Sequence, residues 1–149
     1  MLLRTFFLTF VLIMTHTAVA DPSAELASYK GRVVYLDFWA SWCGPCKLSF
    51  PFMQSLVDEY PASEFAVVTV NLDRRKALAD KFLKDIGGRS LPVIMDPQGE
   101  WAEKFAVQDM PYSVLIDKRG NVRFEHAGFH ESETSKYRAH IEQLLAEKE

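Results

Sequence analysis

Cysteine is scarce in this chain: Cys43 and Cys46 are the only two among 149 residues. That scarcity excludes a structural zinc site, which takes four ligands and usually a second cysteine or histidine pair. Histidine does not fill the gap, because His126, His130 and His140 are single and scattered along the sequence. No Lys/Arg run occurs and the formal net charge is −3, so nucleic acid and anionic lipid lack a basic footprint here. Internal repeats and low-complexity tracts are also missing. No apolar run is long enough for a comfortable membrane span.

The apolar stretch from Phe6 to Met14 reads instead as the core of an export signal. Arg4 is the only charge beside it, and Ala18-Val19-Ala20 supplies a small-residue cleavage site. The expectation is a signal peptide over residues 1–20, cleaved after Ala20, and one periplasmic domain over residues 21–149. The residue directly after the cleavage site is Asp21 and not a cysteine, so a lipid anchor is not expected. A dithiol in such an oxidising compartment is either an oxidant or is kept reduced by a dedicated electron donor.

Along the domain, a short helical turn is expected around Glu25 to Tyr29. Val33 to Trp39 is nearly continuous apolar sequence, as in a central strand covered on both faces. Beyond Cys46, Leu48, Phe52, Leu56 and Tyr60 recur every four residues and predict an amphipathic helix, with Pro51 inside it. A strand over Phe65 to Leu72 and a charged helix over Arg74 to Ile86 follow, the helix closed by Gly87-Gly88. Then come a short strand at Pro92 to Met95 and a turn at Asp96 to Gly99. A short helix over Trp101 to Val107 leads to a hairpin of Ser113 to Ile116 with Val122 to His126. The final helix, after Ser132, buries Tyr137, Ile141 and Leu144. This order predicts an α/β sandwich around one central mixed sheet.

Trp42-Cys43-Gly44-Pro45-Cys46 carries the chemistry. Two cysteines this close, after a strand and before a helix, form a dithiol redox site that opens and closes a small disulfide ring. A purely structural bridge is a poor reading, since closing so short a loop removes little unfolded-state entropy. Cys43 is expected at the helix N-terminus, where unpaired amides and the dipole draw its pKa from about 8.5 towards about 7 or less. It is then the exposed attacking sulfur, and Cys46, one turn inside, the shielded resolving thiol. Pro45 suits a first helical turn, and Gly44 and Pro45 together tune the potential by setting relative thiolate stability.

Asp37 stands in the apolar strand, where an unpaired charge costs several kcal/mol. It is either an edge aspartate with its head in water or a desolvated acid beneath the dithiol that takes the Cys46 proton. Pro111 has two readings as well: an ordinary trans proline entering a strand, or a cis Met110–Pro111 bond shaping a groove against Cys43. Trp39 is expected in the core and Trp42 on a partly exposed rim. Lys47 is expected to be solvated, and His126, His130 and His140 are expected at surface or turn positions. No cofactor and no metal site is expected.

The segment Asp37-Phe38-Trp39-Ala40-Ser41-Trp42-Cys43-Gly44-Pro45-Cys46-Lys47, with Pro51 following, resembles the thioredoxin active site almost position for position. Met110-Pro111 matches that family's cis-proline dipeptide, and Gly120 and Gly128 match its hairpin glycines. Tyr29-Lys30-Gly31-Arg32, the extra strand–helix unit around residues 65–90 and Pro92-Val93-Ile94-Met95-Asp96-Pro97 are similar to the exported TlpA/ResA-like thiol-disulfide oxidoreductases. The resemblance implies a thioredoxin fold with a TlpA-like strand–helix insertion, a Cys43–Cys46 disulfide, a cis Pro111, and Asp37 as buried acid. It also implies a substrate groove at Trp42, Met110 and Pro111. Three departures stand out: Asp37 where exported relatives often carry Asn, Ser49 where they carry Glu, and Tyr112-Ser113 in place of the usual threonine. Only Asp73 is a candidate for the acid that cytochrome c maturation proteins carry near the inserted strand, and Arg74-Arg75 follow it.

The leading functional expectation is an exported reductase of protein disulfides, supplied by a membrane thiol-disulfide donor and working as a monomer. The Gly-Pro dipeptide resembles low-potential sites around −270 mV more than strong oxidants near −120 mV. The alternatives are a disulfide oxidase or isomerase, and a Cu(I)-binding thiol protein, since two thiolates suit a soft cation.

Overall fold

The computed structural model describes residues 22–87 and 90–148. The expected signal peptide lies outside them, and Gly88 does too. Among the described residues, no helix is long and apolar enough to cross a membrane.

The elements run α1 (Pro22–Ala27), β1 (Val33–Trp39), α2 (Cys46–Glu59), β2 (Phe65–Asn71), α3 (Lys76–Ile86), β3 (Val93–Met95), α4 (Glu100–Lys104), β4 (Tyr112–Ile116), β5 (Val122–Ala127) and α5 (Thr134–Ala146). The five strands form one mixed sheet in the order β3-β2-β1-β4-β5. β1 pairs parallel with β2 and antiparallel with β4, so the apolar run of β1 lies at the centre of the sheet. All seven of its residues are buried.

Alternation along β1 divides the core into two layers. Val33, Tyr35 and Trp39 face one side, where Phe50, Met53 and Leu56 of α2, Phe82 of α3, and Tyr137, Ile141 and Leu144 of α5 cover them. Val34, Leu36 and Phe38 face the other, against Leu26, Trp101 and Phe105. Each large apolar side chain buried this way contributes about 1.5–3 kcal/mol. Trp39 ties the end of β1 to α2 and α3, with ring centroids 5.0 Å from Phe50 and 4.9 Å from Phe82.

Three elements differ from their expected bounds, the first being α1, which spans Pro22–Ala27 where a turn around Glu25 to Tyr29 was expected. The helix after residue 99 ends at Lys104 rather than Val107, because Ala106 adopts φ 52° and Val107 turns back to donate its amide to the Ala102 carbonyl. The helix of residues 76–86 starts two residues later than its charge pattern suggested, with Arg75 still extended. Gly87 does close it, at φ 64° with its amide on the Leu83 carbonyl, a conformation that side chains with a Cβ resist.

Candidate active site

Cys43 and Cys46 are joined by a disulfide with an S–S length of 2.06 Å. The chain leaves β1 at Trp39, turns through Ala40 and Ser41, and enters α2 at Cys46. Cys46 is therefore the first residue of the helix and not one turn inside it, and Cys43 stands three residues ahead of it. Pro45 explains the placement: it occupies the capping position with φ −61° and ψ −25°, already helical backbone, and has no amide hydrogen to leave unpaired. The carbonyls of Gly44 and Pro45 then accept from the amides of Lys47 and Leu48.

In this oxidised state Cys43 is only 6% exposed, which corrects the expectation of an open sulfur, and Cys46 is fully buried. Gly44 and Pro45 are exposed beside them. Cys43 lines a groove of about 410 Å³ together with Trp42, Leu72, Val107 and Met110, with Gln108 and Asp109 at its polar part. Trp42 is 69% exposed on its rim, and Leu48 on the neighbouring helix is also largely exposed. The Met110–Pro111 bond is cis, with Pro111 buried. Gly128 anchors this turn, its amide donating to the Pro111 carbonyl at 2.8 Å from a left-handed φ of 74°.

The active-site loop is held from β2. The Ser41 amide and hydroxyl both donate to the Asp73 carboxylate, and Asn71 adds a third donor to it at 2.9 Å. Asp73 is buried by these contacts, so the acid singled out after the inserted strand holds the loop and does not face the groove. Leu72, Val107 and the contact between Ser41 and Asp73 were not legible, because each depends on distant parts of the chain meeting in the fold.

Asp37 lies mid-way along β1 and is 1% exposed, which removes the water-facing edge reading. It alternates with Tyr35 and Trp39 and so faces the layer that contains Cys43 and Cys46. Its Oδ2 has no hydrogen-bond partner, and burial alone pushes its carboxyl well above the usual carboxylate range. Burial, reinforced by the Asp37 carboxylate, likewise drives the Tyr35 hydroxyl upward.

The surface or turn position expected of the histidines fails for His126. It sits on β5 at 7% exposure, with Nδ1 3.2 Å from Ser113 Oγ and Nε2 3.0 Å from His140 Nδ1. Burial, then the charges of His140 and Lys136, lower it to about 4. His140 is half-buried and lowered as well, chiefly by burial.

The disulfide and the cis Met110–Pro111 bond lie beyond the end of β1, and Asp37 is buried on the same layer from within the strand. The model of the Redoxin family matches residues 10–141. The chain belongs to the redoxin family. This redoxin is 32% identical over 99 residues to the thiol-disulfide oxidoreductase ResA of Geobacillus thermodenitrificans, a match covering 66% of this chain and 56% of that protein. It thus spans little more than half the length of such curated relatives. Among solved structures it is similar to one from Chlorobium tepidum assigned to the thiol:disulfide interchange protein DsbE. That match has a TM-score of 0.77 and 42% identity over 81% of this chain and 85% of the other. StoA from Bacillus subtilis aligns with a TM-score of 0.61 and 30% identity, over 74% of this chain and 84% of its own. The redoxin is ResA-like and has the thioredoxin fold.

Proposed function

We propose that this redoxin is an exported protein-disulfide reductase working by dithiol-disulfide exchange. The observation that carries the reading is the Cys43–Cys46 disulfide, whose Cys43 lines a groove, with Asp37 buried in the layer behind it. In the reduced protein, the Cys43 thiolate attacks one sulfur of a substrate disulfide, whose other sulfur leaves as a thiolate and takes a proton from solvent. A mixed disulfide now joins Cys43 to the substrate. Cys46 transfers its proton to the Asp37 carboxylate and attacks Cys43 Sγ, releasing the second substrate sulfur. Two electrons pass from the dithiol to the substrate, and the oxidised state described above results.

The environment suits each role. Burial raises the proton affinity of the Asp37 carboxyl, which is the direction an acceptor for a thiol proton needs. Trp42 and Met110, with the buried cis Pro111 setting the turn behind Met110, offer a groove for an extended substrate segment, and Leu72 and Val107 extend its walls. Gly44 and Pro45 set the difference in stability between the two thiolates, and the Gly-Pro pair places the couple near the reducing end of the scale. A reductase in an oxidising compartment consumes electrons, so a membrane thiol-disulfide donor must re-reduce it. The signal over residues 1–20 supports export, and a monomer suffices for the chemistry.

The test is turnover in an insulin-reduction assay with dithiothreitol as donor. Activity that disappears in Cys43→Ser supports the reading. Wild-type protein that reduces no disulfide, or a Cys43→Ser variant that still does, contradicts it.

A further inference from the structure

One polar row crosses an otherwise apolar layer of the core. Thr69 on β2, Asp37 on β1, Ser113 on β4 and His126 on β5 are successive register partners across four strands, and all are buried. They share a face: Asp37 alternates with Tyr35 and Trp39, Ser113 with Leu115 and His126 with Phe124, residues that all pack in one layer. Such a row costs stability that apolar side chains would not. From Ser113 outward it is continuous, through the 3.2 Å contact to His126 Nδ1 and the 3.0 Å contact from His126 Nε2 to His140 Nδ1. Phe124 stacks on the His140 ring at 3.9 Å, and Tyr137 lies 4.5 Å from the His126 ring, which fixes both imidazoles.

Asp37 needs such a connection. A carboxyl whose protonated form is favoured by burial does not start each turnover empty, and only an empty carboxylate accepts the Cys46 proton. Around it lie apolar side chains, the Tyr35 hydroxyl and the disulfide layer, and its Oδ2 is unpartnered. Across the antiparallel pair stands Ser113, with Cβ atoms in such pairs about 4.5–5.5 Å apart. Burial and the Asp37 charge raise the Tyr35 hydroxyl while Ser113 acts on it in the opposite sense, so the three groups lie at one junction.

We propose that Ser113, His126 and His140 form a proton relay that loads and unloads Asp37 from the β5–α5 surface while the dithiol stays covered. The proposal rests on the reading of Asp37 as proton acceptor for Cys46. In the unloading direction, the Asp37 proton passes to Ser113 Oγ as the serine hydroxyl proton moves to His126 Nδ1. The Nε2 proton of His126 moves to His140 Nδ1, and the Nε2 proton of His140 goes to water. One proton leaves Asp37, one reaches solvent, and no electron moves; the reverse passage restores both tautomers. His126 suits a conduit because its surroundings keep it from storing the proton. The groups that face it are Ser113 from β4, and Tyr137, His140 and Lys136 from α5, with the Glu133 carboxylate at the start of that helix acting in the opposite sense.

The experiment follows the carbonyl stretch of the protonated Asp37 carboxyl in the oxidised protein by infrared spectroscopy after mixing into mildly acidic deuterium oxide. Asp37→Asn, which lacks the band, assigns it. Exchange of that proton should slow by about tenfold or more in His126→Leu and in His140→Phe, the second a change at a half-buried site that keeps the fold if the first does not. A merely structural role predicts the opposite sign, since loosening the core speeds exchange. Wild-type rates in both variants, or faster ones, overturn the relay. A separate failure of the base reading shows elsewhere, as full turnover by Asp37→Asn.

Discussion

The Ser41 amide and hydroxyl both reach the Asp73 carboxylate, at 2.9 and 2.7 Å, and so fasten the loop that carries Cys43 to the end of β2. Because Asp73 is buried and Asn71 also donates to it, its removal strands several donors at once. Asp73→Ala is expected to lose about 1–3 kcal/mol in urea unfolding, the cost of buried donors left without a partner. Asp73→Asn, which keeps one acceptor oxygen, should lose less. Equal stability of Asp73→Ala and wild type would show that this clasp contributes nothing.

Asp37 gives a prediction of unusual sign. Its carboxyl is held above its ordinary value of 3.8 in the folded protein, so the folded state binds this proton more tightly than the unfolded chain does. Stability from this group is therefore greatest at low pH and falls as pH rises from about 4 through the folded-state value. Asp37→Asn should be more stable than wild type at neutral pH, by about 1–3 kcal/mol. The gain should vanish near the ordinary carboxylate range, yet the variant should resolve mixed disulfides more slowly. Thermal melts across pH and single-turnover kinetics check the two halves, and a destabilised Asp37→Asn at neutral pH contradicts the first.

His126 has the opposite slope. It is lowered to about 4 from an ordinary 6.5, so the unfolded chain takes up a proton before the folded protein does. Its contribution is complete above about 6.5 and is lost as pH falls towards 4, amounting to about 3 kcal/mol at most by linkage. The stability of His126→Gln should therefore approach that of wild type as the medium is acidified through this window. Parallel pH profiles for the two proteins would rule out a buried neutral imidazole.

The division of labour between the sulfurs is visible in trapped species. Cys46→Ser should accumulate a covalent adduct with a disulfide substrate at Cys43, seen by intact mass, and Cys43→Ser should accumulate none. Adducts on Cys46 in the Cys43→Ser variant would reverse the assignment.

The strands, their order along the chain and the thioredoxin-like dithiol were legible in the sequence because each rests on local patterns. β1 is an apolar run bounded by polar residues, α2 repeats its apolar positions, and Cys43 and Cys46 stand together with no other thiol to pair with. Asp37 in its apolar strand left a water-facing edge and a buried position both open, and the pairing of β1 on both sides decides for burial. What remained hidden depends on residues brought together across the sheet. His126 reads as an isolated polar residue near a chain turn, and only the pairing of β4 with β5 and the packing of α5 join it to Ser113 and His140. Asp73 stood out only as a candidate for the acid of cytochrome c maturation proteins, and its clasp on Ser41 was hidden because the two lie 32 positions apart. The covering of Cys43 depends on the groove walls at Leu72, Val107 and Met110, which no motif around the cysteines encodes.

The reduction potential of the Cys43–Cys46 couple, from equilibration with dithiothreitol or glutathione buffers, tests the proposed reductase most directly. The reading predicts about −250 mV or lower, at the thioredoxin end of the scale. A value of about −120 to −150 mV would contradict it and make the protein an oxidant.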